Sequence, residues 1–284
     1  MKLKMKKIFK NLINLFIKFG VNALGKINLG RYILDNINQN IITRKKIVIC
    51  KDFNLTFYVP NRLSYYRVDT FHLKEPETLE WVDNFKKESV FWDIGANIGL
   101  YSCYAAKKNF TKVYAFEPSI FNLEWLGRNI FLNNLENKIV VVPMPLNELT
   151  TENNINFSST EWGGALSTFG KKYGHDGKDL KKVYGIRTLG LNMDNVKNFF
   201  QIPQPDYIKI DVDGIEHLIL AGGEKVLLNT KELLIEINEK FEEQKNKCTK
   251  SLKQLGFTLK EKRRSEIFEN TSFSSFYNQI WVRK

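Results

Sequence analysis

The rhythm of apolar and polar positions changes near residue 89. Beyond it, short apolar runs alternate with longer segments whose apolar residues recur at helical spacing, which predicts strands and helices in turn. Runs at 90–94, 112–116 and 139–143 read as strands, with a helix through 106 after the first and another at 119–133. Later strands fall at 183–189, 206–212 and 233–237, helices at 192–200, 216–228 and 240–255, and closing strands at 257–261 and 277–282. Residues 147–182 are polar and Gly-bearing with no clear period, and read as a long functional or mobile loop. Repeated β-α-β units imply an α/β fold with a mostly parallel sheet and helices on both faces. Two closing strands without a helix between them predict an antiparallel C-terminal edge.

Before residue 89 the pattern is more varied. Residues 47–59 alternate and are rich in β-branched and aromatic side chains, so they predict a strand or short hairpin closed by Pro60 and Asn61. Glu75-Pro76-Glu77-Thr78 starts a helix with Leu79, Val82 and Phe85 facing inward. On a helical wheel of residues 2–19, Ile8, Phe9, Leu12, Ile13, Leu15, Phe16 and Phe19 share one face, and Lys4, Lys6, Lys7, Lys10 and Lys18 lie opposite. Such a basic amphipathic helix either docks its apolar face on the body or lies on an anionic membrane surface. The docked helix is the expected arrangement. The chain divides accordingly into a basic helical arm (1–46), a strand/helix extension (47–88) and a main domain (89–284).

Charge sharpens this division. The net charge of +12 on 284 residues resembles a nucleic-acid signal, yet residues 1–50 hold eleven basic residues against Asp35 alone. The remainder carries 32 basic and 30 acidic residues, so a body that grips a phosphate backbone is disfavoured. A hydrophobic content of 43% is too high for a disordered chain. No apolar run is long enough to span a bilayer, and a secretory signal fits poorly. Cys50, Cys103 and Cys248 show no C-x-x-C spacing, which argues against a disulfide scaffold or zinc site and favours a reducing, cytosolic compartment. His72, His175 and His217 are each isolated, so no metal cluster is expected; His175, in the long loop, is a minor candidate base.

In open parallel sheets the ligand sits beyond the carboxyl ends of the strands. There this sequence places Asp93-Ile-Gly95-Ala-Asn97-Ile-Gly99, Glu117-Pro118, Asp211-Val-Asp213-Gly214 with Glu216, and Glu236 with Asn238. Gly95 and Gly99 permit a tight turn and close ligand approach. The spacing matches neither a dinucleotide fingerprint nor a P-loop. Asp93 repels phosphate but suits an ammonium or sulfonium, and Glu117 is placed to accept two ribose hydroxyls. A cationic nucleoside without phosphate answers this description, and S-adenosylmethionine is such a molecule. Lys209 alternates with Ile208 and Ile210 and is expected on the opposite strand face.

FWDIGANIGLYS, VYAFEPS and DYIKIDVDGIEHLILAGG, with KEPETLEW before them and YNQIWVRK at the end, resemble the FkbM family of S-adenosylmethionine-dependent methyltransferases over roughly residues 65–284. The resemblance implies a Rossmann-like methyltransferase fold with a seven-stranded sheet, acting on a hydroxyl of a sugar or polyketide-type molecule. It further implies that Asp93, Gly95, Asn97 and Gly99 cradle the methionine part of the cofactor, that Glu117 holds the ribose, and that Asn147 and Glu148 flank the adenine. Asp213 stands where the family more often has Glu, and Gly190 where an acid is expected.

Methyl transfer to oxygen requires alignment and a proton acceptor. Asp211 is the candidate base or orienting group, with Glu216 and Glu236 supporting it. A divalent ion bridging Asp211, Asp213 and Glu236 is an alternative arrangement. No N/D-P-P-Y/F motif for base amino groups and no Pro-Cys nucleophile for cytosine carbon is present, which leaves oxygen as the acceptor atom. A saccharide or small molecule with a free hydroxyl is the expected partner, and Trp162, Gly163, Gly164 and Tyr173 are candidates to cover a sugar ring. An arm at the inner membrane face would suit a glycan under assembly. The competing readings are an RNA ribose methyltransferase and a non-catalytic, membrane-associated scaffold.

Overall fold

The computed structural model describes residues 2–108 and 111–283. Two helices open the chain, α1 (Lys2–Leu24) and α2 (Asn28–Ile42), followed by an antiparallel hairpin of β1 (Lys45–Ile49) and β2 (Asn54–Tyr58). Three short helices come next: α3 (Arg62–Asp69), α4 (Phe71–Lys74) and α5 (Pro76–Asp83). Asn61 caps α3 by accepting from Ser64 N–H, while Pro76 begins α5, where a missing N–H costs nothing.

The main domain then alternates as its pattern predicts: β3 (Val90–Ile94), α6 (Leu100–Lys108), β4 (Lys112–Phe116), α7 (Ile120–Leu132) and β5 (Ile139–Val142). After β6 (Thr151–Phe157), β7 (Ser167–Phe169) and β8 (Tyr184–Gly190) come α8 (Met193–Phe199), β9 (Tyr207–Ile210), α9 (Glu216–Ala221), α10 (Glu224–Leu227) and β10 (Glu232–Asn238). α11 (Glu242–Gln254), β11 (Phe257–Arg263) and β12 (Phe276–Arg283) end the chain.

Seven strands form one sheet in the order β11-β12-β10-β9-β3-β4-β5. Five neighbouring strands, from β10 to β5, are parallel, and β12 runs antiparallel to both β10 and β11. The antiparallel relation thus lies at the C-terminal end of the sheet, with the last strand inserted beside β10. Period-two alternation sends Phe91 and Tyr207 to one face and Trp92, Ile208 and Ile210 to the other, where two separate cores bury them. The strand order reverses between β3 and β9, and their carboxyl ends open a crevice there.

Two local expectations are corrected. The region read as a loop contains β6 and β7, which join β8 in an antiparallel three-stranded sheet. Its segment TENNINF buries only Ile155 and Phe157, so its strand character comes from pairing rather than from propensity. The single helix expected at 216–228 breaks at Gly222-Gly223, where any side chain would collide with Asn147 O or with Met193.

The arm gives a third correction. Among the described side chains of residues 5–41, only Gly30 is buried, so α1 does not dock its apolar face on the body. Phe9, Phe16 and Phe19 are 66%, 75% and 73% exposed. The side chains of Lys4, Lys6 and Lys7, expected opposite, lie outside the described residues. Among the described residues no helix is long and apolar enough to cross a membrane.

Candidate active site

The crevice at the strand reversal is a cavity of about 620 Å³. Its first wall is the turn after β3. Gly95 and Ala96 N–H both donate to Phe116 O (2.9 and 3.0 Å), which folds the turn across the end of β4. Gly95 has φ +91°, and a Cβ there would overlap the Asp211 carbonyl oxygen, so only glycine brings the turn against the end of β9. Asn97, at φ +52°, donates its N–H to Glu117 Oε2 (2.7 Å) and its Nδ2 to Gly164 O (2.8 Å). The other Glu117 oxygen accepts Ser119 N–H (2.8 Å). Burial outweighs these donors and pushes the Glu117 carboxyl up to about 7.

Beside Glu117 the cavity is apolar, lined by Ile94, Phe116, Met144, Leu146, Ile155 and Phe169. Thr168 Oγ1 is buried in this wall without a hydrogen-bond partner. An apolar slot, a carboxylate at its rim and a spare hydroxyl fit the base and ribose of an adenine nucleoside. Gly190, where an acid was expected, lies against Phe169, whose ring would collide with any side chain there.

The second wall is strongly charged. Asp211, just past the end of β9, and Glu236 on the adjacent β10 both face the cavity with Glu75, Glu77, Lys74 and Asn278. Under them lies Lys209, 1% exposed, with Nζ 2.7 Å from Asp211 Oδ2, 3.9 Å from Glu75 Oε2 and 5.2 Å above the Tyr101 ring. Its register partner on β3 is Asp93, so both project to the same face, as the alternation around Lys209 predicts. Burial opposes the Lys209 charge, yet Asp211, Glu75 and Asp93 hold its pKa above the ordinary lysine value. Against the push of burial, Lys74 and Lys209 hold Glu75 down to about 2; Lys74 Nζ lies 2.6 Å from Glu75 Oε1. Burial and then the Asp211 carboxylate drive Glu236 well above the usual range. No donor among the described residues hydrogen-bonds the Glu236 carboxyl, whose surroundings act on it through burial and charge. Asp213 accepts Leu166 N–H (2.6 Å) and is raised to about 6 by burial and Asp211.

Five expected site residues therefore meet in one cavity: Gly95, Asn97, Glu117, Asp211 and Glu236. Five others stand outside its wall. Asp93 is buried behind the turn, accepting from Ser102 Oγ (2.5 Å), with Oδ1 unpartnered. Gly99 abuts Leu126. Asn147 caps Glu148 N–H (2.9 Å), and neither reaches the slot, which Met144, Pro145 and Leu146 line instead. Glu216, expected to support catalysis, also lies outside the wall. Its buried carboxylate accepts Val212 and Gly214 N–H (3.2 and 3.1 Å) and Gln244 Nε2, which pins the loop that carries Asp211 and Asp213.

The expected cover is corrected too. Gly164 and Leu166 line the cavity, but Trp162 packs on Trp125 and Tyr173 on Phe241. His175 lies against Phe273 and Phe276. No metal-ligating cluster of three His, Cys, Asp or Glu exists among the described residues, including Asp211, Asp213 and Glu236. Sequence reasoning missed Lys74, Glu75, Thr168 and Asn278. A charge flanking the Pro76 helix start was the available signal for the first two; Thr168 and Asn278 gave none.

Residues 93–264, more than half of the chain, match the model of the methyltransferase FkbM domain. A hexuronic acid methyltransferase, AglP of Haloferax volcanii, is 23% identical over 158 residues, which cover 55% of this chain. The chain spans 59% of the length of that relative. Among solved structures, an rRNA methylase of Streptococcus thermophilus aligns at TM-score 0.44 and 15% identity, covering 73% of this chain and 94% of that one. A protein of the NADB-Rossmann superfamily from Streptococcus agalactiae aligns at TM-score 0.44 and 13% identity, covering 73% and 68%.

Proposed function

The chain belongs to the FkbM methyltransferase family, whose cofactor is S-adenosylmethionine, and from that premise we propose that it methylates a hydroxyl of a neutral saccharide. The observation that carries this reading is the Asp211–Glu236 pair, two carboxylates on neighbouring strand ends facing the cavity beside the Gly95 turn. When bound, the cofactor supplies an electrophilic methyl group on a sulfonium. Gly95, Asn97 and Glu117 would hold it, with Glu117 accepting the ribose hydroxyls and the apolar slot taking the base.

The remaining work belongs to the second wall. Lys209 fixes Asp211 in one orientation, and Asp211 accepts the acceptor hydroxyl and aims its oxygen. Glu236, made a stronger base by burial and by Asp211, takes the proton once ionised. Loss of that proton leaves an oxygen able to displace the sulfide, with the charge balance held by Lys74 and Lys209. Glu216 and Gln244 keep the Asp211 loop in register without touching the acceptor.

The choice of a neutral saccharide rests on how the wall's charges are paired. Glu75, Glu77, Glu117, Asp211, Asp213 and Glu236 share the wall with Arg67, Lys74 and Arg264, and Lys209 lies beneath it on Asp211. Each cation of the wall already has a protein partner: Gly163 O, Glu75, and Ser274 O with Tyr277. Lys74, a wall cation whose charge reaches Asp211 and Glu236, is already paired with Glu75, so a carboxylate-bearing sugar like the hexuronic acid in the relative's name would find no free counter-charge there, whereas hydroxyls would find acceptors. Methyl transfer from labelled cofactor to a panel of neutral sugars and uronic acids tests this. Preference for the uronic acids overturns the neutral assignment. The Asp211→Asn variant, which loses the group that aims the acceptor oxygen, should lose roughly 10²-fold in turnover while cofactor binding by calorimetry is unchanged. Full turnover would remove Asp211 from the mechanism.

A further inference from the structure

We infer that α1 and α2 form a docking surface for an anionic lipid bilayer. On the α1 wheel, Met5, Ile8, Phe9, Leu12, Ile13, Leu15, Phe16 and Phe19 occupy an arc of about 160°, and all eight are exposed. The second helix adds a stripe at four-residue spacing, Leu29, Ile33, Ile37 and Ile41, again exposed, with Tyr32 beside it. The two helices pack on each other and leave these faces uncovered by the body. An apolar surface of this kind needs a partner that is itself apolar.

Charge decides which partner. Residues 1–50 carry eleven basic groups and one acid, whereas the rest of the chain is nearly neutral. Lys10 and Lys18 stand exposed on the arc opposite the apolar residues, and Lys26 and Arg31 are exposed at the bend between the helices. A second copy of the chain would bring the same positive arm against this one and be repelled. RNA would satisfy the lysines but leave the isoleucines, leucines and phenylalanines in water. A bilayer with anionic headgroups satisfies both faces at once: the apolar arc enters the acyl boundary while the basic flank stays among the headgroups. The arm would hold the methyltransferase body at a membrane surface through the short link to β1.

Co-sedimentation of the full chain with vesicles tests this, comparing phosphatidylcholine alone with phosphatidylcholine mixed with phosphatidylglycerol. Binding is expected only with the anionic lipid and should weaken as salt is raised. Lys10→Glu with Lys18→Glu should weaken it by at least about tenfold, since each lysine near the surface contributes severalfold. Phe9→Glu with Phe16→Glu should abolish it, and cofactor affinity by calorimetry should stay unchanged in both variants, confirming that the body is folded. Three results overturn the inference. One is equal sedimentation of wild type and the phenylalanine variant. Another is absence of vesicle binding with a dimer in sedimentation velocity that the phenylalanine variant disrupts, which assigns the face to a second copy. The last is salt-sensitive RNA binding that survives the phenylalanine variant, without vesicle binding.

Discussion

Glu117 concentrates the hydrogen bonding of the proposed cofactor wall in one side chain. Both oxygens accept a backbone N–H, from Asn97 and Ser119, and each keeps a lone pair that, in the proposed binding mode, would take a ribose hydroxyl. Burial nevertheless lifts the carboxyl to about 7, so near neutral pH it is partly protonated before ligand arrives. In the proposed binding mode ribose hydroxyls would favour the ionised form, because they would donate to it. Affinity for S-adenosylmethionine should therefore rise with pH up to about 7 and level off above it. The Glu117→Gln variant should bind more weakly by about 1.5–3 kcal/mol and lose the pH dependence. Calorimetry across this range checks both, and an unaltered slope in the variant would assign the titration elsewhere. Lys209 shows the converse logic. An ammonium at 1% exposure is tolerated because Asp211, Glu75 and Asp93 surround it, and the group that anchors the site is hidden from solvent.

At the scale of elements, the cavity is roofed by a loop that other elements hold in place. Asn122 on α7 donates to Gly164 O (3.0 Å) and accepts Gly163 N–H (3.0 Å). Asn97 donates to the same Gly164 carbonyl, Arg67 donates to Gly163 O (2.6 Å), and Asn61 to Trp162 O (2.9 Å). The loop between β6 and β7 is thus tied to α3, α7 and the turn after β3. Replacing Asn122 with Ala leaves Gly163 N–H without its acceptor, at a cost of about 1–3 kcal/mol. Hydrogen exchange at 160–166 should accelerate, with weaker cofactor binding and an unchanged sheet. Unaltered exchange in that segment would show that the remaining ties suffice. The hairpin β1–β2 is held by the same helix: Asn129 and Asn133 accept Tyr58 and Thr56 N–H (2.9 Å each), covering an edge strand with side-chain amides.

For the molecule as a whole, the concentration of acids at one sheet edge links folding to pH. Glu117 and Glu216 are raised to about 7, Asp213 to about 6, and Glu236 well above the ordinary range, in each case with burial as the largest cause. Raised carboxyl pKa values mean that the native state binds more protons than the unfolded chain. Stability from these groups is present at acid pH and is lost as pH rises through about 7. His217 acts in the other direction. Burial lowers it to about 4, so its contribution is lost as pH falls below its unfolded value. The Tm of the cofactor-free protein should be higher near pH 6 than near about pH 8, measured by scanning calorimetry at constant ionic strength. The reverse order would show that these acids are ionised at no cost in the native state.

Much of this molecule is readable from spacing alone. The strands 90–94 and 112–116 coincide with β3 and β4, because a buried parallel strand is a short apolar run and little else reads so. Strand ends then select Gly95, Asn97, Glu117, Asp211 and Glu236, since topology fixes which end of each strand is open. Tertiary structure decided the rest. Pairing with β8 turned a polar segment into β6, packing against Asn147 and Met193 broke a helix at Gly222-Gly223, and hydrogen bonds from loop amides turned the Glu216 carboxyl to the backbone instead of the cavity. Thr168, Asn278 and the Lys74–Glu75 pair join the cavity from elements distant in sequence. Local pattern records which side chains must leave water. Which of them meet, and whether a carboxylate faces a ligand or an N–H, depends on contacts between segments that no local pattern encodes.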